Sequence, residues 1–429
     1  MTDMVRDTPW GPTGELVYRR SYARVNADGS PEQWPDTVRR VVDGNLALVG
    51  PQHHLPYERR RLEELFMRFA ALPAGRHLWM SGVSGRQFLF NCHVAGWDGN
   101  DPAAHFCFLF NQLMQGGGVG ANYSDRFMAL LPAPHPAAEV HLVCDDGHDD
   151  IAELRPHLSP DYSHQWPGSV RVDDSREGWV DALRSVLERF WNGGGDPLVL
   201  DLSLLRARGA PIRTFGGTAS GPGPLAKMLA EVAAVLRGRI GNPLSSLDAM
   251  LIDHRIAEAV VAGNVRRSAR MSMKHWADPD IADFIGAKAD PLVHWSTNVS
   301  VELDDGFFEA IAADDPHATT VFEGIVDGML RNGEPGVWNR SLAQAGERGE
   351  VVCTNPCGEI ALEEWENCNL GHINLRSFAG DLDGAVDAHR LMARFLLRAT
   401  FGDVPDERQR AALTRNRRIG VGHFGYQGW

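Results

Sequence analysis

The chain has 429 residues, 43% of them hydrophobic and 23% charged, a balance that supports one large core or two ordinary ones and excludes intrinsic disorder. A formal net charge of -14 excludes duplex DNA or RNA as the expected partner, because such binding is driven by clustered Lys and Arg that release phosphate counterions. No apolar run approaches the roughly 18 residues needed to cross a bilayer, and residues 1–6 lack a charged-then-apolar secretory layout, so no membrane partner and a cytoplasmic location are expected.

Residues 1–85 read as a helical lead-in, in which 58–72 carries Leu62, Leu65, Phe66 and Phe69 at helix spacing before Pro73 and Gly75. From Cys92 onward short apolar runs alternate with longer amphipathic ones. Strands are predicted at 90–94, 198–202, 268–273 and 299–303, and helices at 178–191, 225–236, 247–261, 318–331 and 386–400. The alternation indicates βα units around a parallel sheet or barrel, an α/β fold whose active residues sit on loops at the carboxyl ends of strands. Residues 132–175, rich in prolines, acids and histidines, break the pattern and read as the heart of an inserted surface segment spanning about 126–178.

Three loops carry chemistry. Gly116-Gly117-Gly118-Val119-Gly120 either brings main-chain N–H groups near a ligand or makes a tight turn or close packing contact. The stretch from Gly216 and Gly217 through Thr218 and Ser220 leads into a helix at Leu225, and a helix start offers free N–H groups to phosphate. It lacks the Gly-Lys-Ser/Thr ending of a P-loop, so NTP hydrolysis is not implied. Asn264, Arg266 and Arg267, with Arg270 nearby, suit a base edge and a phosphate, although paired arginines also form plain solvated faces. The 17 histidines show no His-Glu-x-x-His pattern, and no metal site is expected from them.

Six cysteines are too few for a disulfide framework, and in a reducing compartment close thiols are more often catalytic or metal-binding. Cys107 and Cys144 lie in apolar runs and fit ordinary buried cysteines. Cys353, Cys357 and Cys368 lack the close Cys-x-x-Cys pair of structural zinc sites. Cys357 stands between two helix breakers, with Asn355 two before it and Glu359 two after. That is the composition of a reaction centre, with Cys368 eleven positions on and Cys92 far upstream.

Thr354-Asn355-Pro356-Cys357-Gly358-Glu359 followed by Cys368-Asn369-Leu370 resembles the active-site finger loop of ribonucleotide reductases. Further segments resemble the adenosylcobalamin-dependent class II, specifically its monomeric ribonucleoside-triphosphate reductase branch. They are Gly75-Arg76-His77-Leu78-Trp79-Met80-Ser81-Gly82, Asn91-Cys92, 108–120, Arg176-Glu177-Gly178-Trp179, 215–222, 260–269, Asn332-Gly333-Glu334-Pro335-Gly336 and 416–420. The resemblance covers nearly the whole chain in the same order.

It implies a ten-stranded α/β barrel of two half-barrels: 86–350 as the first half with the insertion and effector loops, 351–376 as the finger loop, and 377–429 as the start of the second. It also implies a monomer that reduces ribonucleoside triphosphates to 2′-deoxyribonucleoside triphosphates, with adenosylcobalamin as cofactor and a thioredoxin-like or dithiol reductant. Cys357 would carry a thiyl radical, Glu359 would act as base on the 3′ hydroxyl and Asn355 would hold the substrate, acid-base help of this kind being worth about 10²–10⁴-fold. Cys92 and Cys368 would supply the reducing equivalents and end as a disulfide, which needs Cα atoms within roughly 7 Å. Gly216, Gly217, Thr218, Ser220, Asn264, Arg266 and Arg267 match the loops that bind a deoxynucleotide effector.

The chain stops at Trp429, soon after Arg417-Arg418-Ile419-Gly420, where members of the family continue through the second half-barrel to a carboxyl-terminal Cys pair. The expectation is a truncated barrel with an open sheet edge. Three arrangements fit: a fragment or interrupted gene, a split enzyme completed by a second polypeptide, or a non-catalytic module that retains deoxynucleotide binding. Class I reductases share the Cys357 and Glu359 pattern but take their radical through carboxyl-terminal tyrosines that this chain does not reach, and the upstream segments favour class II.

Overall fold

A computed structural model describes residues 8–26, 28–212, 218–262 and 268–429. The chain forms two compact units, Met1–Cys92 with Glu366–Trp429, and His93–Trp365.

The first unit draws on both ends of the chain. Its helix Trp34–Leu46 starts with a capping box between Gln33 and Asp36 and has proline in its first turn, while Val38, Val41, Val42 and Asn45 recur on its buried face at helical spacing. Helix Leu382–Ala399 is capped by the Asp381 carboxylate, which accepts from the Gly384 N–H, and buries Ala385, Ala388, Leu391, Met392, Phe395 and Leu396. Those two stripes enter one core with Leu62, Leu65, Phe66 and Ile373. Strand Asn367–Asn374 pairs antiparallel with Ala71–Pro73 on the register Leu72 to His372, and parallel with Ile419–Phe424 on the register Gly371 to Val421.

The helix predicted over 58–72 ends sooner. Helix Glu58–Met67 stops ahead of Phe69, which takes a positive φ of 54°, and Ala71–Pro73 turns into the strand just described. Pairing with the distant Asn367–Asn374 strand overrides the local periodicity there.

The second unit is built on a parallel sheet of Gly118–Asn122, Ala269–His275, Thr297–Leu303 and Gly336–Asn339, in that order. Helices including Ala104–Met114, Arg176–Asn192, Gly223–Gly238, Ser246–Ala262 and Pro316–Asn332 complete the α/β alternation. Strand Leu198–Asp201 lies outside this sheet. It is the middle strand of a separate parallel sheet flanked by Val140–Val143 and Ser169–Arg171, so the proline-rich segment folds around its own small sheet. Gly118–Asn122, part of the glycine cluster read as a loop, is a fully buried strand.

Arg270 also departs from the basic-loop reading. It is buried on the Ala269–His275 strand, donating to Tyr123 Oη at 3.1 Å and Ser296 Oγ at 3.2 Å, with Asp253 at 3.7 Å. Further along the same strand, Lys274 is fully buried and meets Asp125 at 2.6 Å, Asp280 at 2.8 Å and Asp278 at 3.0 Å. Both cations neutralise acids inside the unit, as buried charge requires.

Candidate active site

Residues 353–362 form a short hairpin in which Cys353 pairs with Leu362 and Thr354 with Ala361. Beyond the ladder, the Asn355 N–H donates to the Ile360 carbonyl, and the Ile360 N–H donates back to Asn355 Oδ1, each at 3.2 Å. The tip closes as a four-residue turn, the Gly358 N–H donating to the Asn355 carbonyl at 3.0 Å. Asparagine first, proline second and glycine last is the residue order that such turns favour. Gly358 has φ +85°, a left-handed conformation with open space where a Cβ would stand. Cys357 therefore occupies the third position of a preformed turn.

Burial separates this thiol from the others. Cys357 is exposed, whereas Cys92, Cys107, Cys144, Cys353 and Cys368 are buried. Partial desolvation, and after it the Glu359 carboxylate, hold the Cys357 thiol above its ordinary range. Burial pushes Cys107 further, to about 12, and Cys353 higher still. Cys107 and Cys144 thus behave as the packed thiols expected of them.

The base of the hairpin is gripped from the main sheet. A Cβ on Gly120 would stand 1.8 Å from the Thr354 carbonyl oxygen and 3.0 Å from Cys353 Sγ, so the glycine is what lets the hairpin lie against that strand. Asn122, two residues on, donates from Nδ2 to the Val352 carbonyl at 2.7 Å and to Glu302 Oε2. Burial raises the Glu302 carboxyl, with Asn122 acting against the shift. No local sequence pattern marks Asn122 or Glu302. The glycine cluster was the available signal, and of its two readings the close packing contact is the one seen.

Cys92 and Cys368 lie in the first unit, Cys92 opening strand Cys92–Val94 and Cys368 second in Asn367–Asn374. Adjacent residues of one helical turn reach their neighbours: Arg76 donates to Asn91 Oδ1 at 3.2 Å, and His77 Nε2 stands 3.1 Å from Asn369 Oδ1. Burial lowers Arg76 to about 10, opposed by the nearby Cys92 sulfur. Behind Cys368, the buried Glu366 accepts from Arg418 at 2.8 Å and Asn416 at 2.9 Å, which gives the 416–420 motif a structural task.

Of the expected effector residues, Gly216, Gly217, Asn264, Arg266 and Arg267 lie outside the described residues. Thr218 bridges Pro211, and Ser220 Oγ donates to the Gly221 carbonyl at 3.3 Å, just before helix Gly223–Gly238. Among the described residues no group of three or more His, Cys, Asp or Glu side chains converges as metal ligands, and no helix is long and apolar enough to cross a membrane.

Three family models match: the ribonucleotide reductase alpha domain over residues 1–83, the insertion domain of B12-dependent ribonucleotide reductase over 160–236, and the ribonucleotide reductase barrel domain over 315–429. The chain is a homologue of the ribonucleotide reductases. The relatives it matches are named as adenosylcobalamin-dependent reductases. A candidate adenosylcobalamin-dependent ribonucleoside-triphosphate reductase of Mycobacterium phage D29 is 53% identical over 98% of this chain and 64% of the relative. The adenosylcobalamin-dependent ribonucleoside-triphosphate reductase of Lactobacillus leichmannii is 35% identical over 98% of this chain and 62% of the relative. A crystal structure of a B12-dependent class II ribonucleotide reductase superposes with a TM-score of 0.83 at 30% identity, covering 100% of this chain and 65% of that one. The alpha subunit of an Actinobacillus ureae class Id reductase, at 13% identity and a TM-score of 0.56, shares the fold. The chain thus spans a little under two thirds of the length of these relatives.

Proposed function

We propose that the chain takes part in adenosylcobalamin-dependent reduction of ribonucleoside triphosphates to 2′-deoxyribonucleoside triphosphates. The observation that carries the reading is Cys357 itself: the one exposed thiol of the six, at the tip of a preformed turn, with an amide and a carboxylate two residues to either side. Similarity to reductases of that name along 98% of the chain supports it.

An accessible thiol is what the cofactor requires, and Cys357 meets that requirement. When bound, adenosylcobalamin supplies a homolysable cobalt–carbon bond and hence an organic radical. In this reading Cys357 gives up its hydrogen atom and, as a thiyl, removes the substrate's 3′ hydrogen. Glu359 takes the proton of the 3′ hydroxyl, and Asn355 holds the sugar. A raised thiol suits the role, since a protonated sulfur is the form that has a hydrogen atom to give. Cys92 and Cys368 furnish the two electrons, one protonating the departing 2′ hydroxyl, and close as a disulfide that a dithiol or thioredoxin-like reductant reopens. The loops at 216–220 and 264–267 bind a deoxynucleotide effector, in keeping with the helix start at Gly223.

The test is adenosylcobalamin-dependent formation of deoxynucleotide with a dithiol reductant, run with this chain alone and with a polypeptide covering the remaining length of its relatives. Cys357→Ser abolishes product in whichever arrangement is active. Product from that variant at the parent rate removes the radical role of Cys357.

A further inference from the structure

The turn that carries Cys357 leaves one carbonyl without a partner inside it. The Asn355 carbonyl accepts from Gly358, and the Asn355 amide and side chain are joined to Ile360. Pro356 has no N–H to give, and its carbonyl, which forms the peptide bond to Cys357, takes no part in the turn's own bond. Asn298 reaches it: Nδ2 donates to the Pro356 carbonyl at 2.7 Å, across 58 positions of sequence.

We propose that Asn298 is a positioning residue for Cys357, fixing the direction of its sulfur by holding the peptide plane that precedes it. Asn298 lies in strand Thr297–Leu303, where it pairs with Met271 of the neighbouring strand, and Gly336–Asn339 pairs on the other side from Ser300 onward, so the donor is mounted on a sheet. On the far side of Cys357 the Gly358 N–H closes the turn on the Asn355 carbonyl at 3.0 Å, but glycine brings no side chain, and a Cβ there would meet nothing within 4 Å. Pro356 limits rotation before the cysteine but does not choose the tilt of its own carbonyl. The Asn298 amide does. Asn298 is itself exposed, and its side-chain amide donates to the loop. The proposal deepens the reading of Cys357 as the reactive thiol, yet it concerns where the sulfur points and is tested without turnover.

The measurement is the pH profile of Cys357 alkylation by iodoacetamide in the full chain, followed by peptide mass spectrometry. Asn298→Ala frees the carbonyl, and the alkylation rate at neutral pH rises roughly two- to tenfold, the equilibrium worth of one hydrogen bond, while its midpoint moves down toward that of an ordinary thiol. Asn298→Gln keeps an amide donor and returns the profile most of the way to the parent's. Labelling of the five buried cysteines stays unchanged in both. An Asn298→Ala profile that superimposes on the parent's overturns the proposal, as does a Gln variant shifted as far as the Ala variant. If Asn298→Ala does not fold, Asn298→Asp keeps the shape without the donor, and a Cys357 rate equal to the parent's in that variant overturns it equally. The reductase reading fails separately, through the activity of Cys357→Ser.

Discussion

His77 and Asn369 stand 292 positions apart and share a buried hydrogen bond of 3.1 Å. The Asn369 amide nitrogen is committed to the Leu396 carbonyl at 3.3 Å, so its oxygen faces the ring and His77 Nε2 is the donor. Burial lowers His77 to about 4, which keeps the imidazole neutral in that tautomer. Through this pair and the Arg76 bond to Asn91, one helical turn holds the residues next to Cys368 and Cys92.

From that arrangement we predict that mild oxidation of the folded chain links Cys92 to Cys368, while Cys107, Cys144 and Cys353 remain thiols. Peptide mapping without reduction checks this. Recovery of Cys92 or Cys368 in any other disulfide, or both unmodified after complete oxidation of the exposed thiol, would falsify their pairing. His77→Leu, which removes the donor to Asn369, slows formation of the same bond.

Cys357 is expected to dominate thiol labelling below pH 8, because its five companions are buried. Since desolvation and Glu359 raise it, the rate keeps climbing past the ordinary thiol midpoint of 9.0. Glu359→Gln removes the charge and moves the midpoint down; an unmoved midpoint excludes the carboxylate as a cause.

Acid stability turns on Glu58. Burial would raise its carboxyl, but Arg394 at 3.0 Å and Arg398 at 2.6 Å outweigh that and hold it at about 2, against an ordinary 4.5. A depressed carboxyl contributes stability that is fully present above 4.5 and is lost as pH falls toward about 2. The difference corresponds to roughly 3 kcal/mol. Glu58→Gln should lower stability at pH 7 by about that amount and flatten its decline across the window. Denaturant titrations at several pH values decide it, and an unaltered acid slope rejects the assignment.

Gly120→Ala should destabilise the second unit by about 1–3 kcal/mol, the range for overpacking, because the new methyl meets the Thr354 carbonyl oxygen at 1.8 Å. The hairpin must shift to admit it, so the Cys357 labelling rate changes as well. Parent-like stability together with parent-like labelling refutes the close packing.

Sequence periodicity located the long helices because their signals are local. The helix predicted at 178–191 spans Arg176–Asn192 behind a Ser175 cap, and that at 318–331 spans Pro316–Asn332 behind an Asp315 cap. Strand Gly118–Asn122 escapes because glycine has no side chain to alternate, and the strand it pairs with, Ala269–His275, is distant in sequence. Arg270 reads as a ligand-facing charge in sequence because its partners Tyr123 and Asp253 are distant along the chain. At the site, the order Asn355, Cys357, Glu359 is legible in the sequence, whereas the exposure of Cys357 among five buried thiols is not. The roles proposed for Cys92 and Cys368 rest on resemblance, and the bonds of Arg76, His77 and Asn298 are visible only in the folded chain.

The first unit takes its residues from the two ends of the chain, with the whole of the second unit between them. During synthesis, Val41, Val42, Leu62 and Phe66 leave the ribosome long before Leu391, Phe395 and Leu396, the side chains that share their core. The second unit, continuous in sequence, has all its strands first. Translation therefore completes the Cys357 turn while the apolar face of the opening helices still awaits its cover, and it is that early segment which a nascent-chain chaperone has most reason to hold.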